Sequence, residues 1–326
     1  MKLRVLAIFG AILMAGSMSA QTLTDVINEF NTGVEKLNNQ EYDVSIEHFN
    51  QVLALAETVG DEAADMRAQA EKQIPSAYYR QATLFLKRKQ YDNAIPFLEK
   101  SIEFSTLYNN NEEIKKKSNN YLLQSYMREG QRYYKNKSYD ESLGYFDEAL
   151  AMNENLYQAH LGKGMIFLDQ DETDMMLEEF NMAKEGAVRK NDTKTIDQIN
   201  GKIDSYYNKF ITEELALVDP EDNDYTYVIE ASENALGANP ENSIALYHLA
   251  LVNNKTGEYD AAIDFAMKAL QFEKEAIWIS AINFELGSSY QYSVEYDKAC
   301  ETLKKVVEEP FLTRAEKKMG SVPGCN

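Results

Sequence analysis

One five-residue figure returns five times along the chain: tyrosine, aspartate, any residue, a small residue, an apolar residue. It reads Tyr42-Asp43-Val44-Ser45-Ile46, Tyr91-Asp92-Asn93-Ala94-Ile95, Tyr139-Asp140-Glu141-Ser142-Leu143, Tyr259-Asp260-Ala261-Ala262-Ile263 and Tyr296-Asp297-Lys298-Ala299-Cys300. A figure repeated in register constrains a fold more than any single motif, because it makes the chain an array of similar units. The residues around it keep step. Nine before each tyrosine stands a small residue: Gly33, Ala82, Gly130, Ala250 and Gly287. Seven after it come Phe49, Leu98, Phe146, Ala266 and Leu303, and apolar residues follow three to four further on. Spacings of three, four and seven belong to one face of a helix.

Two antiparallel helices meeting at the Tyr-Asp turn account for these choices. The small residue lets the second helix approach the first, and the bulky residue seven past the turn fills space between hairpins. A hairpin of this kind cannot bury its apolar face alone, so stacking is obligatory. In this pattern of small, aromatic and alanine signposts the chain resembles the tetratricopeptide repeat family. A sixth copy keeps the frame with Thr173 at the turn, Gly164 nine before it and Phe180 seven after; Gly130 to Gly164 is the 34-residue repeat of that family. A degenerate unit is expected with helices near Lys194–Ala216 and Tyr225–Leu236, stopped at Asn239-Pro240-Glu241-Asn242. The resemblance spans roughly residues 22–310. It implies an all-α fold, a solenoid or superhelix of antiparallel hairpins, and the apolar spacing of Phe311, Leu312, Ala315 and Met319 predicts a C-terminal capping helix.

The array is uneven. From Gly33 to Ala82 is 49 residues and from Ala82 to Gly130 is 48, against 34 for the best pair. The excess predicts longer helices in the N-terminal hairpins, with the charged stretch Asn110–Asn120 as the tip joining two of them. The expected organisation is a leader (1–20), N-terminal repeats (21–190), C-terminal repeats (191–310) and a cap with tail (311–326), with a softer joint near Lys190–Thr195.

Lys2 and Arg4 precede an apolar run from Val5 to Ala15, and Gly16-Ser17-Met18-Ser19-Ala20 follows. That is the pattern of a bacterial signal peptide cleaved after Ala20, and it predicts a secreted chain working in the periplasm. No cysteine follows the run, so no lipid anchor is expected. The formal charge is −20, which argues against nucleic acid or an anionic membrane as partner, and is compatible with a basic protein surface. Cys300 and Cys325 are the only cysteines; in an exported chain they invite a disulfide, with a buried inert thiol and a frayed tail as the alternative.

Chemistry-bearing motifs are missing. There is no glycine-rich phosphate loop, HExxH, CxxC or nucleophile elbow, so neither enzyme, cofactor nor metal is expected. His48, His160 and His248 fall in separate repeat helices and read as packing or surface residues. The loop Asp219–Asp224, with Glu230 beyond, has a faint calcium-binding rhythm, but Asp224 stands where the necessary glycine should be. The more informative feature lies twelve residues before each turn residue, at a position that the resemblance places on the inner face: Phe30, Tyr79, Met127, Leu161, Tyr247 and Phe284. Leu37, Leu86, Tyr134 and Leu168 continue the stripe. An apolar stripe suits a docked peptide or helix of an envelope protein, held on a non-catalytic scaffold. The stripe is equally compatible with a filled core. A second functional reading is a small ligand, such as an oligosaccharide, in a pocket of tyrosines. Self-association is open.

Overall fold

A computed structural model of the protein describes residues 22–219 and 224–325. The expected leader, and residues 220–223 of the acidic loop, lie outside the described residues. Among the described residues all regular structure is helical. The chain divides into two compact units at Glu154–Asn155, whereas the joint expected at 190–195 is a short capped turn inside the second unit, where Asp192 Oδ1 accepts the Thr195 amide hydrogen.

The first unit is three stacked hairpins: α1 (Leu23–Asn38) with α2 (Tyr42–Val59), α3 (Ala64–Lys87) with α4 (Tyr91–Leu107), and α5 (Glu112–Lys135) with α6 (Tyr139–Met152). The extra length suggested by the intervals sits mainly in α3 and α5, each 24 residues. The tip between α4 and α5 is short, 108–111, because Asn109 and Asn111 take left-handed backbone and turn the chain at once. The charged stretch expected as a tip is therefore the first turns of α5. Val26, Phe49, Val52 and Ile74 are fully buried and share one cluster across α1, α2 and α3.

Every Tyr-Asp figure begins a second helix, and the corner before it is the same each time. The residue two before the figure is left-handed: Gln40, Lys89, Lys137, Gly257 and Val294, with Asp171 doing so before Thr173. The next residue's amide then reaches back five positions, as Glu41 N to Lys36 O (3.0 Å) and Glu295 N to Tyr290 O (2.8 Å). This closure satisfies carbonyls that a helix end leaves open. The aspartate of the figure follows in the first turn of the new helix, where the positive end of the helix dipole favours a carboxylate.

Size matching holds each pair together. A Cβ built on Gly33 would stand 2.8 Å from Phe49, one on Gly130 2.8 Å from Phe146, and one on Gly287 2.7 Å from Leu303. The large side chain thus lies over the small residue of its own hairpin while also joining the cluster between hairpins. Where the first helix carries alanine, the partner shrinks to Leu98 or Ala266. The small residue within the figure adds a hydrogen bond in two cases: Ser45 Oγ donates to Gly33 O (2.8 Å) and Ser142 Oγ to Gly130 O (2.7 Å).

The second unit holds α7 (Tyr157–Asp169), α8 (Thr173–Arg189), α9 (Thr193–Leu217), α10 (Thr226–Ala238), α11 (Ser243–Thr256), α12 (Tyr259–Phe272), α13 (Ala276–Tyr292), α14 (Tyr296–Leu303) and α15 (Phe311–Met319). The pair α9 and α10 is the degenerate repeat. The stop after α10 is pinned from below: Asn239 Nδ2 donates to the Asp204 carboxylate (2.8 Å), and Asn242 Nδ2 to Asn208 Oδ1 (3.1 Å). Asn242 also caps α11 through the Ala245 amide. Helix α15 folds back on α13 as the cap, burying Ala315, and a disulfide between Cys300 and Cys325 ties the tail to α14.

Candidate functional site

In the first unit the apolar stripe is partly open. Phe30 on α1 is half-buried with its ring 5.7 Å from that of Phe49, while Leu37, about two turns on, is sealed in the core. Tyr79 on α3 and Met127 on α5 are half-buried; the Tyr79 ring lies 6.1 Å from that of Tyr121, which is itself exposed. Burial raises the Tyr79 phenol above its usual range, with Tyr121 adding to the effect. Leu86 and Tyr134 are also half-buried, with the Tyr134 ring tilted against that of Tyr139 at 6.2 Å.

In the second unit the stripe stays half-buried on α7 and closes on α11 and α13. Leu161 and Leu168 on α7 pack on the cluster of Phe180, Ile199 and Ile203. Tyr247 and Phe284 are buried, at 6% and 8% exposure, and so offer no free surface. The reason for Tyr247 is α13, whose Trp278 ring stands at 5.5 Å from it. The reason for Phe284 is α15: the Arg314 guanidinium lies 4.3 Å from the Phe284 ring centre, with Phe311 at 6.3 Å. A filled core describes this end.

The histidines are structural and follow the repeat. His48 Nδ1 lies 2.6 Å from Glu29 Oε2, and His160 Nδ1 2.7 Å from Glu179 Oε2, with Lys163 Nζ also donating to Glu179 (2.7 Å). Both pairs occupy one repeat site, thirteen residues before the turn residue and six after it, with donor and acceptor helices exchanged. In the intervening repeats the same site holds Tyr78 with Phe97 (6.5 Å) and Tyr126 with Tyr145 (6.3 Å). His248 differs. It is buried on α11 and burial pulls its pKa down to about 4. In the same unit, Glu285 on α13 accepts from Asn254 Nδ2 (2.9 Å), and burial raises its carboxyl above the normal range. Asp224 of the acidic loop is exposed and accepts from the amide and hydroxyl of Thr226.

One hollow was not foreseen. It lies between α9 and α10, holds about 480 Å³, and is walled by Thr173, Tyr206, Phe210, Glu214, Tyr227 and Glu230. Helix α10 seats on the core of the second unit through Val228, Ala231, Ser232 and Ala235, with Ile229 and Leu236 partly buried against it, while Tyr227 and Glu230 face the hollow. The signal was present in the sequence as a second stripe: Tyr206, Phe210 and Glu214 recur every fourth residue beside the buried stripe Ile203, Tyr207, Ile211.

Two family models, both described as tetratricopeptide repeat, match the chain, one at residues 127–184 and 229–276 and the other at 75–105. No curated protein matches it. Among solved structures it is similar to YrrB, a TPR protein with an unusual peptide-binding site (15% identity, 59% of this chain and 91% of that one, TM-score 0.29). It is also similar to the TPR2AB domain of yeast Sti1 in its pHSP90 complex (16% identity, 91% and 94% covered, TM-score 0.34). A third is the C-terminal part of a TPR repeat-containing protein from Cytophaga hutchinsonii (13% identity, 87% and 98% covered, TM-score 0.36).

Proposed function

Because this chain belongs to the tetratricopeptide repeat family, we propose that it works by binding, as a non-catalytic scaffold holding a segment of a protein partner. The observation that carries this reading is the open part of the stripe in the first unit, where Phe30, Tyr79 and Met127 recur at one register and stay half-exposed on three first helices. Large aromatic and apolar side chains left partly open are the anchors that peptides and helices use. The leader-like start supports a periplasmic setting and an envelope protein as partner.

Immobilised protein (residues 21–326) is expected to retain one discrete partner from envelope extract. With that partner purified, Phe30→Ala combined with Tyr79→Ala should weaken binding by about ten-fold or more, since interface aromatics commonly contribute 1 kcal/mol or above each. An unchanged affinity in a variant that still melts normally refutes the stripe as the docking face. The small-ligand reading has one observation in its favour, the hollow of the second unit. A ligand bound there would raise the melting midpoint by mass action.

A further inference from the structure

We propose that the hollow between α9 and α10 receives the guanidinium group of an arginine in a partner peptide, with an apolar residue of that peptide in the adjoining hollow. The inference rests on the binding role proposed above and adds a second contact, made by residues outside the apolar stripe. None of the stripe residues lines this hollow.

Three observations converge. The walls are aromatic and left open: Phe210 is 49% and Tyr227 67% exposed. Aromatic faces attract cations, and arginine stacks on them better than lysine because its charge is planar and weakly hydrated. Second, two carboxylates, Glu214 and Glu230, border the same space, and among the described residues neither forms an ion pair. A guanidinium can meet a carboxylate with two parallel hydrogen bonds while its flat face rests on a ring. Third, the space is longer than one side chain. A second hollow of about 330 Å³ shares Glu214 and Tyr227 with the first; Leu217, Val218 and Val228 give it an apolar wall and Asp219 and Asp224 an acidic rim, with Leu217 78% exposed. The occupant that fits carries a basic residue followed by an apolar one, which is a peptide and not a compact solute.

Position in the wall is already fixed for part of this site. Tyr206 is held by Thr173, hydroxyl to hydroxyl at 2.5 Å, and by an edge-on contact with Tyr207 at 5.3 Å. That bond links α9 to the start of α8, so the ring is set before any ligand arrives. The formal charge of −20 draws basic segments toward the whole surface, and the hollow provides the geometry that selects among them.

The test uses a blocked hexapeptide, Gly-Ser-Arg-Leu-Ser-Gly, and its counterpart with glutamine for arginine, titrated against residues 21–326 and followed by saturation-transfer NMR on the peptide. The arginine peptide should bind, the glutamine peptide about ten-fold more weakly, and the difference should shrink at high salt. Tyr227→Ala and Glu214→Gln should each weaken the arginine peptide by about five-fold, the scale of one cation–aromatic or charge-assisted contact, with unchanged melting. Equal binding of the two peptides, no binding, an unchanged affinity in either variant, or free arginine binding as tightly as the peptide would each overturn the proposal. The outcome separates from that of the stripe. A partner captured through Phe30 and Tyr79 while the peptide ignores the hollow sinks only this site; peptide binding here with no effect of Phe30→Ala and Tyr79→Ala sinks only the stripe.

Discussion

Substituting alanine at Gly130 measures how far close approach, and not helix propensity, selects the small residue nine before each turn. The added Cβ would stand 2.8, 2.9 and 3.1 Å from three ring atoms of Phe146, where ordinary contact begins near 3.4 Å. Phe146 is 1% exposed and cannot swing away. Overpacking of this kind costs about 1–3 kcal/mol, and alanine in a helix interior returns about 1 kcal/mol relative to glycine. The net change for Gly130→Ala is therefore a loss of roughly 0–2 kcal/mol. Gly144→Ala, on the other helix of the same hairpin and with nothing near its added methyl, isolates the propensity and should gain about 1 kcal/mol. The repeat itself names a rescue, since Ala82 is matched by Leu98. Phe146→Leu alone should cost about 1–2 kcal/mol, but combined with Gly130→Ala the loss should fall short of the sum by about 1 kcal/mol or more. Urea midpoints for the four variants and the parent, at constant slope, give these differences. Gly130→Ala stabilising as much as Gly144→Ala, or strict additivity in the double variant, would refute size matching as the reason for the glycine.

Val294 holds a left-handed backbone at φ 65 in the corner where Gly257 serves the preceding repeat; Val294→Gly relieves about 1–2 kcal/mol of steric cost, less the entropy of glycine, and should raise the thermal midpoint. His248 has a folded pKa of about 4 against 6.5 unfolded, so its contribution is intact above pH 6.5 and is lost as pH falls toward 4, about 3 kcal/mol in all. Denaturation of His248→Leu should lose that slope, measured against the parent so that the opposite drift from Glu285, whose raised pKa favours the folded state as pH falls, cancels. Cys325→Ser opens a loop of 25 residues, worth about 3–4 kcal/mol on a chain-entropy scale; amide exchange should quicken in α15 and beside Phe284, while α1 to α6 stay protected. Uniform quickening along the chain would contradict nearest-neighbour stacking.

The hairpins were legible because their signals are local. A turn residue, an aspartate in the first helical turn and a small residue nine before it act within about twenty residues, so the sequence carries them whole. The degenerate repeat was legible as two helices but not as a site, since its hollow is walled by residues of α8, α9 and α10 that no single local motif brings together. The candidate stripe was legible as a register and not as a surface. Phe30 and Phe284 hold equivalent positions, yet one is half-open and the other lies under Arg314 and Phe311.

The sequence by itself therefore determined that this protein is an array of helix pairs, where each pair turns, and which residues must be small. Only the tertiary structure decided which equivalent positions face solvent, and how each repeat fills its shared sites. The site joining Glu29 to His48 shows why. It accepts an acid with a histidine, the reverse order at His160 and Glu179, or two rings at Tyr126 and Tyr145. Each choice is sound only with its partner, across a distance that a one-dimensional reading does not see.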